Sequence, residues 1–118
     1  MTDLSPESLR LRFDTILDGL QHPLLGSVAA LTEECGEVAK VLLDHHAYGQ
    51  ELDRDALGSE LMDVFVCLCE IATLHGVDLD VAARAKVEDL ERRAPKWRHD
   101  MTMTGALAKA RRGGSAWV

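Results

Sequence analysis

The sequence predicts an all-α fold, and three observations carry that prediction. Leu, Ala, Val and Glu are plentiful while aromatic residues make up only 4% of the chain. Proline occurs three times in 118 residues. Apolar residues recur at helical rather than strand spacing through most of the first 95 positions. A chain of this length is one domain with a core of limited depth.

The first helix opens at Ser5-Pro6, with Ser5 as N-cap and Pro6 at the first helical position. Leu9, Phe13, Ile16, Leu17 and Leu20 carry it to about Leu20, and Gln21-His22-Pro23 breaks it. A second helix is expected from about Leu24 to His45, on a stripe of Leu24, Val28, Leu31, Cys35, Val38 and Leu42. Ala47 to Asp55 reads as a polar hairpin connection. The third helix spans about Arg54 to His75, capped by Asp53 or Asp55 and ended by Gly76. Asp78 caps a fourth, about Leu79 to Arg93, with Val81, Ala85 and Leu90 facing inward. His45, His46 and His75 stand at helix C-termini, where they complement the dipole.

After Pro95 the periodicity stops, so residues 1–95 read as the helical domain and 96–118 as a basic tail, with one helical turn near Ala106–Lys109. Before Pro95 there are eight basic and nineteen acidic residues; after it, five basic residues against Asp100 alone. The overall charge of −7 argues against general nucleic-acid binding. No signal-like or membrane-length apolar run is present, so a soluble, cytoplasmic protein is expected. Cys35, Cys67 and Cys69 lack metal-site spacing and are expected to be reduced, buried thiols.

The third helix is apolar over most of its circumference, its polar residues from Leu61 to Leu74 being Asp63, Glu70 and Thr73. One small protomer cannot cover it, so a homo-oligomer is expected. Glu70, like Glu33 and Glu91, is expected on a solvated face.

Two acidic pairs interrupt the apolar runs: Glu34 with Glu37 on the second helix, and Glu60 with Asp63 on the third. Each has i, i+3 spacing, which puts its carboxylates one turn apart. A hairpin would bring all four together, and four carboxylates in an apolar groove repel unless a cation neutralises them. Glu34 falls inside the apolar arc and Glu37 at its border, with Glu33 further towards solvent. Gly36 beside them weakens the helix by about 1 kcal/mol relative to alanine and allows close approach of a backbone or ligand. Oxygen-only donors suit Mg²⁺, with Mn²⁺ as a substitute. A ferritin-like di-iron site needs Glu-x-x-His, and no glutamate here has histidine three positions on.

The stretch Glu33-Glu34-Cys35-Gly36-Glu37, followed by Glu60-Leu61-Met62-Asp63, resembles the E-E-x-x-E … E-x-x-D signature of MazG-like nucleotide pyrophosphohydrolases. That all-α superfamily includes dCTP pyrophosphatases and dimeric dUTPases. The resemblance covers about Gln21 to Pro95 and extends to Val77-Asp78-Leu79, Lys86, Arg93 and Pro95. It implies a four-helix bundle assembled into a dimer or tetramer. The implied reaction is Mg²⁺-dependent hydrolysis of a nucleoside triphosphate to the monophosphate and pyrophosphate. Glu34, Glu37, Glu60 and Asp63 are the implied metal ligands, Glu33 an acid assisting metal or water, and Glu34 shares the catalytic role. His22 stands where related dCTP pyrophosphatases carry a histidine, and Lys86 and Arg93 are the implied phosphate contacts.

Leu90 replaces an asparagine of many relatives, Ala94 a tyrosine, and Cys67 a tyrosine of the dCTP type. Base and sugar preference is therefore not legible, and Trp97 and Trp117 of the basic tail are candidates to supply it. Two other readings remain at this point: a nucleotide-binding module without efficient turnover, and a purely structural oligomerisation domain.

Overall fold

The computed structural model of the chain describes residues 4–104, and these form four helices with no strand among them. They are α1 (Pro6–Ile16), α2 (Leu24–His46), α3 (Arg54–His75) and α4 (Leu79–Thr104). The chain divides into two units, one ending at Asp80 and one beginning at Val81. No helix among the described residues is long and apolar enough to cross a membrane.

In the first unit α3 is the central element, with α2 and α1 packed against it. Its ends are set by its own punctuation. The Asp53 carboxylate accepts from the Ala56 N–H at 2.9 Å, and Gly76 takes the left-handed conformation (φ 66°) that terminates the helix. The buried apolar residues among those described are Cys67, Cys69 and Ala72, all on α3. Phe13 of α1 meets Phe65 edge to face, ring centroids 6.3 Å apart. Arg10 reaches across to Thr73 at 2.8 Å.

Ser5 caps α1 as expected, its hydroxyl accepting from the Ser8 N–H. The helix stops at Ile16, short of Leu20, because the chain turns through Gly19 at φ 81°. The side-chain oxygen of Gln21 then accepts from the Gly19 N–H at 2.8 Å. The N-termini of α1 and α4 cap each other. Asp80 accepts from the Glu7 N–H at 2.9 Å, and Glu7 from the Leu79 N–H at 3.3 Å. Arg10 holds the Glu7 carboxyl below its usual range, against the opposing effect of burial. Asp78 accepts from the Asp80 N–H at 2.9 Å, in keeping with its expected capping role.

Between α2 and α3 the connection is tied by side chain and backbone together. The His45 ring nitrogen Nδ1 donates to the Gln50 carbonyl at 2.7 Å, and the Gln50 N–H donates to the Asp44 carbonyl at 3.0 Å.

Helix α4 corrects the expected stop near Arg93: it continues through Pro95 to Thr104. A proline removes one intrahelical hydrogen bond, and one side-chain contact at helical spacing, Arg93 with Trp97, spans the position. Arg93 lies over the Trp97 ring at 4.5 Å, and Lys96 pairs with Asp100 at 2.7 Å. Val81, Ala85 and Leu90 are exposed rather than inward-facing. The expected helical turn at Ala106–Lys109, and Trp117, lie outside the described residues.

Candidate metal centre on the α2–α3 seam

Two cross-helix groupings establish that α2 and α3 run antiparallel. Ser27 of α2 faces Glu70 of α3, its hydroxyl donating to Oε1 at 3.1 Å. Seven residues along α2 and seven back along α3, Glu34 faces Asp63. Seven residues is two helical turns, so both groupings share one seam about 10 Å apart.

At one end, carboxylate oxygens of Glu34, Glu60 and Asp63 all lie within 4.8 Å of one another. Glu34 and Glu60 are half-buried and Asp63 exposed. Among the described residues none of the three is paired with a lysine, arginine or histidine. Partial burial pushes the Glu34 carboxyl above its usual range, and Asp63, Glu60, Glu33 and Glu37 add to the shift. Placement of Glu34 inside the apolar arc is thus matched by its half-buried state. Glu37 falls outside the close group, so the hairpin assembles three acids rather than four. Its side chain is exposed at the border of the arc, as is that of Glu33 further round.

At the other end Glu70 overturns the solvated-face expectation. Its side chain is only 9% exposed and accepts three hydrogen bonds: from the His22 N–H (2.5 Å), the His22 ring (3.2 Å) and Ser27. Burial pushes this carboxyl up, but the hydrogen bonds from His22 and Ser27 outweigh it and hold it below the usual range. The missed signal was spacing: Glu70 is seven residues after Asp63 and so returns to the same face. His22 sits at this end of the seam.

Cys67 lies between the two ends, one turn from Asp63 and one from Glu70. Burial first, then the charges of Glu34, Glu70 and Asp63, pushes its thiol up. Cys69 is also buried and shifted up by burial. Cys35 corrects the expectation of three buried thiols: it is exposed. On α4, Lys86 is exposed and Arg93 is paired with Asp89 at 3.1 Å.

A family model described as the MazG nucleotide pyrophosphohydrolase domain matches residues 24–98. The chain belongs to this family. No curated protein and no solved structure matches it significantly. The MazG match takes in Glu33, Glu34, Glu37, Glu60, Asp63, Lys86 and Arg93, and begins two residues after His22. An all-helical chain with acids on facing helices accords with that family, and its acidic group fits a divalent ion. Three converging oxygen donors of one charge sign, with no cationic side chain among the described residues paired to them, are the donor set a hard divalent cation takes.

Proposed function

We propose that the chain is a Mg²⁺-dependent nucleoside triphosphate pyrophosphohydrolase, converting a (d)NTP and water to the (d)NMP and pyrophosphate in nucleotide-pool cleansing. The observation that carries this reading is the convergence of Glu34, Glu60 and Asp63, which pair with no cationic side chain among the described residues, in a chain of the MazG family. Glu34, Glu60 and Asp63 would hold the ion, with Glu37, one turn beyond Glu34, as the fourth ligand; Mn²⁺ would substitute. When bound, the ion supplies charge neutralisation of the polyphosphate and lowers the pKa of water. Glu33, with Glu34 beside it, accepts the proton of the attacking water. Lys86 and Arg93 contact phosphate oxygens, and His22 contacts the nucleoside.

Exposed apolar side chains support a homo-oligomer, dimer or tetramer. Leu61, Met62 and Leu68 on α3 and Leu25, Val28 and Leu43 on α2 are all more than 40% exposed in the single chain. The proposed setting is the cytoplasm, with neither membrane nor nucleic acid as partner.

Pyrophosphate release across a panel of NTPs and dNTPs tests the proposal. Release that requires Mg²⁺ supports it, and a folded protein that turns over none of them sinks it. Leu90, Ala94 and Cys67 favour examining a second reading, a nucleotide-binding module without efficient turnover. Thermal stabilisation by nucleotide and Mg²⁺ without pyrophosphate would select that one.

A further inference from the structure

We propose that Glu70 is a positioning residue that fixes the His22 ring as a hydrogen-bond acceptor for the nucleoside end of the substrate. This inference rests on the function proposed above and names what recognises the nucleoside.

The Glu70 carboxylate is covered and accepts from three donors, two of which do not depend on the imidazole: the His22 N–H and the Ser27 hydroxyl. Ser27 is 1% exposed, so its hydrogen bond to the carboxylate is shielded from water. An ionised carboxylate only accepts, so Nδ1 of His22, 3.2 Å away, must carry the proton. In the neutral ring Nε2 then keeps its lone pair, on the side of the imidazole turned away from Glu70. The His22 side chain is 53% exposed, so a ligand can reach the ring.

Position gives the ligand its identity. Glu70 and Ser27 lie two turns along the seam from Glu34 and Asp63, about 10 Å away. A triphosphate held at the acidic end and extended along the seam would bring its nucleoside to the His22 end. Nε2 as acceptor requires a hydrogen on the partner, either an exocyclic amino group of the base or a sugar hydroxyl.

Glu70→Gln separates these roles from folding. The glutamine carbonyl can keep the His22 N–H and the Ser27 hydroxyl, while its NH₂ faces Nδ1 and drives the proton to Nε2. Ring ¹⁵N shifts of His22, recorded without nucleotide at about pH 8, should show the Nδ1–H tautomer in the wild type and Nε2–H in E70Q, with the helical content unchanged. In pyrophosphate release, E70Q and His22→Ala should each raise KM about tenfold at near-constant kcat, the loss of one hydrogen bond. The double variant should go no further. CTP against UTP tests the amino group and dCTP against its dideoxy analogue tests the sugar hydroxyl; the pair whose discrimination collapses in E70Q identifies the donor. An Nε2–H ring in the wild type, an unchanged tautomer in E70Q, or additive KM effects would overturn the proposal. Expected tautomers in a protein that neither hydrolyses nor binds a nucleotide would overturn the function and the nucleoside contact, and leave only the hold of Glu70 on the ring.

Discussion

Glu70 and Glu34 occupy the same seam between α2 and α3, two turns apart, yet one carboxyl is held below its ordinary range and the other above it. Burial acts in the same direction on both. What differs is the company. Glu70 is met by two N–H or ring donors and a hydroxyl, so its charge is satisfied by the protein. Glu34 is met by other carboxylates, so its charge is left for something else to satisfy. A buried acid is thus an anchor or a ligand according to its neighbours, and the two kinds are separable by experiment.

The largest effect is expected at the unsatisfied end. Glu34→Gln or Asp63→Asn should lower Mg²⁺-dependent pyrophosphate release about a hundredfold or more. Equal loss on substituting an exposed acid such as Glu91 would erase the contrast. Next comes stability at the satisfied end. Glu70→Ala strands the buried Ser27 hydroxyl and an N–H at the start of α2, and should destabilise the chain by about 2 kcal/mol in urea unfolding. An unchanged urea midpoint would show that Glu70 anchors nothing.

The pH dependence of unfolding sharpens the comparison through opposite signs. With a lowered folded-state pKa, Glu70 contributes stability above the ordinary carboxylate range, and that contribution is lost as pH falls through its folded value. With a raised folded-state pKa, Glu34 in metal-free protein does the reverse, and stability is gained as pH falls through its folded value towards the ordinary one. E70Q should therefore flatten the acid limb of the stability profile, while E34Q should stabilise the metal-free chain near neutral pH. The smallest effect is chemical: an alkylating reagent should modify exposed Cys35 well before Cys67, whose buried thiol lies between the two ends. Equal rates would mean the seam is open.

Much of this was legible in the sequence because it is written locally. Asp53 and Gly76 mark the ends of α3 in their own side chain and backbone freedom, and the wheel position of Glu34 foretells a half-buried acid. Other features depend on what another segment does. Leu17 and Leu20 continue the apolar period of α1, but the helix ends at Ile16 and the chain turns at Gly19. Pro95 reads as a stop, yet α4 continues past it, with Arg93 and Trp97 in contact across the position. Glu70 looked like a surface acid because its three donors come from a different helix and the loop before it. The same non-locality separates Glu37, correctly spaced but outside the close group, from Glu60, which joins it.

The contrast between the two ends is tested most directly by Mn²⁺ binding, followed by electron paramagnetic resonance in the wild type, E34Q, D63N and E70Q. The account predicts binding in the wild type and E70Q that is weakened at least tenfold in E34Q and D63N. Undiminished binding in E34Q and D63N would contradict it.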